Sequence, residues 1–150
     1  MSAAATPALA ALQLGEVIAQ RTLELSRETL VRYAGASGDF NPIHYRDDVA
    51  AQMGLPGVLA HGMLTMGLAV ETVSAWLDPE LRITEYGTRF TRPVVVDPAH
   101  GATVEIVAKV GAVDPEAGTA RIDLTVSCEG KTVLGKAQVQ VGARARRSHG

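Results

Sequence analysis

Residues 61–77 read HGMLTMGLAVETVSAWL, a long apolar segment of the chain. The segment follows a Gly54-Leu55-Pro56-Gly57 break and is closed by Pro79, so it has the length of a complete helix, while no apolar run reaches membrane-spanning length. The small residues at positions 62, 67 and 69 would let such a helix lie close against a sheet. We therefore expect a central helix from His61 to Leu77.

On either side of this helix the pattern is that of strands. Apolar residues alternate with polar ones over 104–110 and 122–128, and a third such run spans 133–141. Arg82 to Phe90 supplies another strand, and Val17 to Leu23 a first one. A strand and helices, then a long helix, then a four-stranded meander predict an α+β domain with the helix laid across one antiparallel sheet.

The chain has 150 residues, about the size of one domain. We expect an Ala-rich disordered leader over residues 1–13, the folded domain over 14–142, and a basic flexible tail over 143–150. Formal net charge is -2 and the body of the chain has no basic run, so nucleic acid is not an expected partner. The sequence shows no signal peptide, and its single cysteine, Cys128, has no internal partner, so a cytoplasmic protein is expected.

The densest polar cluster lies at residues 37–44, SGDFNPIH, after a helix that Ser26 is expected to cap. Gly38 and Pro42 force an irregular turn, which could aim Asp39 and His44 at one water. A carboxylate and an imidazole that share a water form a general acid–base pair suited to hydration or hydrolysis. Alternatively, Asp39 caps the backbone that follows it and His44 is an ordinary helix-start residue; spacing leaves both interpretations open.

The second feature is Ala60-His61-Gly62-Met63, where a glycine opens the central helix. Its N–H could hold a developing oxyanion, because helix N-termini present free donors; the alternative is that Gly62 only permits tight packing against the sheet. His61 could join Asp39 and His44 around a metal, but the spacing matches no compact zinc pattern, so no metal is predicted. Met63 is expected in the core or along an acyl pocket.

Residues 33–44, YAGASGDFNPIH, resemble the signature of the MaoC-like (R)-specific enoyl hydratase and dehydratase family, and residues 61–65, HGMLT, resemble its second conserved block. Over 14–141 the order of segments, including TEYGTRFT at 84–91, is similar to that of mycobacterial (3R)-hydroxyacyl-ACP dehydratase subunits. The resemblance implies a hot-dog fold, in which a curved antiparallel sheet wraps the long helix.

The resemblance also implies roles for the singled-out residues. Asp39 and His44 would bind the catalytic water, and the Gly62 N–H would polarise the thioester carbonyl. Asn41 matches a position that orders the site, and His61 and Met63, which flank Gly62, fall in the same substrate-binding group.

The activity so implied is that of a hydro-lyase in fatty-acid metabolism, which interconverts (3R)-hydroxyacyl and trans-2-enoyl thioesters of CoA or acyl carrier protein without a metal or redox cofactor. Two alternatives stay open: a hot-dog acyl-thioesterase, and a non-catalytic acyl-binding subunit of a heteromeric dehydratase. The open edges of a single sheet predict a dimer, formed with a second copy or with a homologous hot-dog subunit.

Overall fold

The computed structural model describes residues 7–145. Within these residues, five strands form one antiparallel sheet, accompanied by four α-helices and one short 3-10 helix. In chain order the elements are α1 (Pro7–Ala10), β1 (Val17–Leu25), α2 (Arg27–Ser37), the 3-10 helix (Pro42–His44), α3 (Asp47–Gln52), α4 (Gly62–Trp76), β2 (Leu81–Phe90), β3 (Ala102–Asp114), β4 (Thr119–Cys128) and β5 (Lys131–Ala143). The predicted α+β class and the central helix are confirmed.

The order of strands across the sheet is β1-β3-β4-β5-β2. The predicted four-stranded meander is correct for β3, β4 and β5 but wrong for β2, which pairs with β5 through contacts such as Tyr86 with Val139. The segment between β2 and β3 runs alongside residues 58–60. The Ala60 N–H donates to the Val94 carbonyl, and the Val96 N–H donates to the Val58 carbonyl. The edges are therefore β1 and β2, and β5, the last strand of the predicted meander, lies inside the sheet.

The core lies between one face of the sheet and α4. Every second residue along most of β3 and β4 is buried, as the alternation of apolar and polar residues predicts for a sheet with one buried face. On α4 the buried residues follow helical spacing: Thr65, Ala69, Thr72 and Val73. Because Ala69 is small, the helix axis can approach the sheet closely, which brings the start of α4 beside the loop after α2.

The helix that precedes this loop has well-defined ends. The Ser26 side chain accepts from the Thr29 N–H at 3.2 Å, and the Thr29 hydroxyl accepts from the Ser26 N–H at 3.2 Å. This reciprocal pair confirms the predicted cap at Ser26. Gly38 ends the helix with φ of +76°, a left-handed conformation that glycine adopts without strain. The chain therefore turns sharply just before Asp39.

Both predicted flexible ends need correction. Residues 7–10 form α1, and Leu9 is only 1% exposed, so the prediction of a disordered leader is wrong for this part of the chain. At the other end, β5 continues to Ala143, and Arg144 donates to the carbonyl groups of Glu80 and Leu81. The outermost residues, 1–6 and 146–150, lie outside the described residues. Among the residues that are described, no helix is both long and apolar enough to cross a membrane.

Candidate active site

A chain of local hydrogen bonds shapes the loop after α2. The Asp39 N–H donates to Ser37 Oγ at 3.1 Å, and Asp39 Oδ1 in turn accepts from the Asn41 N–H at 3.1 Å. Asn41 Oδ1 then accepts from the Ile43 N–H at 3.2 Å, which caps the 3-10 helix that carries His44. Each short polar side chain thus holds the backbone two residues away, and Asn41 lies where it can order the loop.

Asp39 and His44 meet at the end of this loop. Asp39 Oδ2 lies 3.9 Å from His44 Nε2, with the carboxylate half exposed and the imidazole largely buried. The two interpretations of Asp39 are compatible, since Oδ1 caps the turn while Oδ2 remains directed at His44. This separation leaves space for one water, whose oxygen would lie ~2.8 Å from both atoms.

The tautomer of His44 follows from its second contact. His44 Nδ1 lies 2.7 Å from the backbone carbonyl oxygen of Leu59, which can only accept, so Nδ1 carries the proton. The lone pair of the neutral ring is then on Nε2, the nitrogen directed at Asp39. A water between the two side chains would therefore meet two acceptors, which is the arrangement needed to remove its proton.

His61 lies beneath this pair and not in the cleft. It is 1% exposed, its ring stacks on that of His44 with centroids 3.8 Å apart, and its Nε2 lies 3.1 Å from the Asp39 carbonyl oxygen. Burial lowers the pKa of His61 below its ordinary value. The expectation that His61 contacts the substrate is therefore contradicted by its burial.

The start of α4 faces the same cleft. Among the described residues no acceptor is bonded to the N–H of Gly62, the first residue of this 15-residue helix, so the donor is free at the positive end of the dipole. A Cβ at this position would lie 2.9 Å from Cε1 of Phe90. The close approach that Gly62 permits is thus to an aromatic side chain of β2, in agreement with the packing alternative, and the oxyanion role stays a prediction.

A cleft of about 290 Å³ connects His44 with Gly62, and Asp39 lies beside His44 without lining the cleft itself. His44 and Gly62 both line it, Thr65 and Arg92 add polar groups, and the walls are mainly apolar: Leu59, Ala60, Phe90, Pro93, Val94, Val133 and Leu134. Met63 is 61% exposed and lies outside this lining, so it belongs to neither the core nor the cleft wall.

Sequence reasoning missed Thr65, Phe90 and Arg92. Thr65 could have been found, because it is one helical turn beyond Gly62 and shares its face. Phe90 and Arg92 reach the cleft only because β2 pairs with β5 at the sheet edge.

Asp39, His44 and His61 each offer a possible metal ligand within 4.8 Å of one another. Their hydrogen bonds and ring geometry favour a role other than metal binding. His61 Nε2 and His44 Nδ1 are bonded to carbonyl oxygens, and the two rings are stacked with an interplanar angle of 21°. Lone pairs in two nearly parallel planes do not converge on one ion. The arrangement is that of a carboxylate and an imidazole lying against a second, buried imidazole.

β2 is attached to the helix beside the cleft by Tyr86. Its hydroxyl donates to the Met66 carbonyl at 2.8 Å, and burial raises the pKa of Tyr86 to about 12. The phenol therefore remains a donor at any pH near neutrality, and it holds the edge strand against α4.

A family model described as MaoC like domain matches residues 10–142, and the chain belongs to this family. The chain is 32% identical over 120 residues to a 3-hydroxybutyryl-CoA dehydratase of Methylorubrum extorquens, which covers 79% of this chain and 74% of that protein. It is 30% identical over 122 residues to an (R)-specific enoyl-CoA hydratase of Rhodospirillum rubrum, with 80% and 82% covered. Over 82 residues, 55% of this chain, it is 34% identical to 3-hydroxyacyl-thioester dehydratase X of Mycobacterium tuberculosis, of which it spans only 28%.

Solved structures agree with this assignment. A MaoC-like dehydratase superposes with a TM-score of 0.86 at 37% identity, over 95% of this chain and 43% of that one. The ChsH1-ChsH2 complex from Mycobacterium tuberculosis superposes with a TM-score of 0.76 over 88% of this chain and 98% of that one, and at 23% identity it shows the fold alone. The hot-dog fold and the family expected from residues 33–44 and 61–65 are confirmed.

Proposed function

We propose that this protein is a hydro-lyase that interconverts (3R)-hydroxyacyl and trans-2-enoyl thioesters. The observation that carries the proposal is the 3.9 Å separation of Asp39 Oδ2 and His44 Nε2, at a cleft that also receives the start of α4. Relatives named for hydratase and dehydratase activities on acyl thioesters support the same reaction class.

In the hydration direction, a water bound between Asp39 and His44 attacks C3 of the enoyl group. The water oxygen bonds to C3, one of its protons passes to the Asp39–His44 pair, and a proton is delivered from the pair to C2. The electron pair of the double bond moves toward the thioester carbonyl before C2 is protonated. Dehydration runs the same steps backward, and the water is then the product.

Charge develops on the thioester oxygen during this attack. The free Gly62 N–H at the start of α4 is the donor we assign to that oxygen. Such a donor is already oriented before reaction, so it stabilises the enolate-like state without reorganising. The dipole of α4 adds to the effect, because its positive end is at the cleft.

The test is turnover by the purified chain with trans-2-enoyl-CoA substrates of short and long acyl length. We expect reversible loss of the conjugated enoyl thioester absorbance without release of free thiol, and a product of (3R) configuration on chiral analysis. Stoichiometric thiol release would instead identify a thioesterase. Binding of enoyl-CoA without turnover would identify a non-catalytic subunit, and either outcome would overturn the proposal. Parallel assays with acyl carrier protein thioesters define the carrier.

We also propose that the working unit is a dimer. Among the described strands, β2 is an edge strand ten residues long, and an unpaired edge of this length favours pairing with another chain. Phe90, at its end, is 55% exposed although it also lines the cleft. Phe40 is 60% exposed and lies in the loop of residues 38–44, which we call the catalytic loop because it carries the proposed pair. Large apolar side chains left exposed beside a site are typical of an interface.

The chain purified alone is expected to form a homodimer, which light scattering at micromolar concentration measures. Turnover measured on the same sample connects the assembly to function. A monodisperse monomer with full activity would refute the dimer. Activation many-fold by a co-expressed homologous hot-dog subunit would show that the natural partner is that subunit.

A further inference from the structure

One buried ring touches both members of the Asp39–His44 pair. His61 stacks face to face on His44, with ring centroids 3.8 Å apart and planes 21° apart. Its Nε2 lies 3.1 Å from the backbone carbonyl oxygen of Asp39. On its other side, Tyr33 of α2 meets the ring edge-on at 4.7 Å. His61 is thus held between α2 and the catalytic loop.

The contacts define one protonation state of His61. The Asp39 carbonyl can only accept, so Nε2 carries the proton and Nδ1 has the lone pair. Nδ1 is buried and has no hydrogen-bond partner among the described residues. Burial is the main cause that lowers the pKa of His61, with the nearby His44 acting in the same direction, while the bond to the Asp39 carbonyl and the Asp39 charge act against it. The ring is therefore neutral near pH 7.

A neutral support has a consequence for catalysis. When the acid–base pair takes up a proton from water, a charge on His44 would be repelled by a second imidazolium stacked 3.8 Å away. A neutral His61 avoids that repulsion. A purely structural filler at this position would be better served by an apolar ring, because it would leave no buried nitrogen without a partner.

We propose that His61 is a positioning residue: its neutral ring holds the Asp39 backbone and the His44 imidazole in the relative position that lets them share one water. This inference rests on the proposed function, because it concerns the same pair. His61 does not touch the substrate, since it is buried beneath the cleft. Its effect is exerted through the 3.9 Å separation of Asp39 Oδ2 and His44 Nε2.

Two substitutions separate the hydrogen bond from the packing. His61→Phe keeps a ring that can stack on His44 but loses the N–H donor, and His61→Gln keeps a donor near the position of Nε2 but loses the ring. We expect His61→Phe to retain the native melting temperature or exceed it, while kcat falls about 10- to 100-fold, because small displacements of catalytic groups cost this much. The KM for enoyl-CoA should change little. His61→Gln should recover part of the lost kcat.

Thr72→Val is the matched control. Thr72 lies on α4, is also buried, and its Oγ1 also has no hydrogen-bond partner among the described residues, but unlike His61 it has no ring to stack on His44 and no bond to the Asp39 carbonyl. Removing this buried polar atom should leave kcat and its pH profile unchanged. In His61→Phe, by contrast, the pH profile of kcat should shift, because His61 contacts Asp39 and His44, the pair proposed to carry the acid–base step. Tyr33 is the other titratable group that faces this ring.

A measurement on the native protein keeps the proposal testable if the variants do not fold. Heteronuclear NMR of the histidine side chains should show His61 as the neutral Nε2–H tautomer at pH 7.5, with a titration midpoint below that of an ordinary imidazole. An Nδ1–H or protonated His61 ring at pH 7.5, or a folded His61→Phe variant with native kcat and pH profile, would overturn the proposal. A native protein without hydratase turnover would refute the proposed function instead, so the two failures are distinguishable.

Discussion

Replacing Asp39 with Asn is the sharpest test of the acid–base pair, because the structure predicts which of its functions survives. The side-chain oxygen of Asn can still accept from the Asn41 N–H, as Asp39 Oδ1 does at 3.1 Å, so the loop should keep its shape. The atom directed at His44 becomes an NH2 group that donates to the Nε2 lone pair. The site then loses both the carboxylate charge and the free acceptor on His44.

General acid–base groups contribute ~10²–10⁴-fold to turnover, so we expect a kcat loss of about 10³-fold, equivalent to ~4 kcal/mol of barrier. His44→Ala should lose a similar factor. Because both groups act on one water, the double variant should lose at most about tenfold more than either single variant, whereas independent groups would lose ~10⁶-fold together.

The assay is steady-state hydration of enoyl-CoA, with the melting temperature of each variant measured alongside. Asp114→Asn is the matched control, since Asp114 also accepts backbone N–H groups in an exposed turn, from Glu116 and Ala117, and is far from the cleft in the β3–β4 hairpin. A folded double variant with near-native kcat would refute the assignment. Two losses that multiply fully would refute the shared water.

Three further predictions test the oxyanion donor, the helix cap and the buried imidazole. Gly62→Pro removes the N–H, whereas Gly62→Ala retains it, and both variants place a Cβ against Phe90. The kcat of the proline variant should therefore be about 10²–10³-fold below that of the alanine variant. Equal kcat values would exclude Gly62 as the donor. Ser26→Ala should reduce the free energy of unfolding by about 1 kcal/mol, because the Thr29 N–H loses its acceptor, and a chemical denaturation midpoint unchanged from native would contradict the capping role. The pKa of His61 in the folded chain lies below its ordinary value of 6.5, so as pH falls below about 6.5 the unfolded chain binds a proton that the folded chain does not. The free energy of unfolding should therefore decline in that range, above the range in which carboxylates titrate. The decline should be weaker in His61→Phe.

Much of the catalytic loop was predictable from sequence because its interactions are local. The Ser26 cap, the glycine turn at position 38 and the bonds of Asp39 and Asn41 to backbone two residues away need only near neighbours in the chain. Period-two alternation likewise identified β3, β4 and β5, since burial of one face requires only that alternate residues be apolar.

The identity of each strand's partner depended on the tertiary structure. Alternation shows that a segment is a strand but says nothing about which edge it joins, so the pairing of β2 with β5 was missed and Phe90 with it. The leader was misjudged for a similar reason: Pro7–Ala10 is too short to show a periodic pattern, and Leu9 belongs to the buried cluster that the sheet residues form.

The same distinction between local and tertiary interactions applies to the candidate site. The sequence by itself singled out the two residues to which we assign the chemistry, Asp39 and His44, and their loop is built from local hydrogen bonds. Only the tertiary structure decided the tautomer of His44 and the support of the pair, through His44 with Leu59, 15 residues away, and His61 with Asp39, 22 residues away. Such contacts form when α4 packs on the sheet, and the position of one packed element relative to another is a property of the whole core.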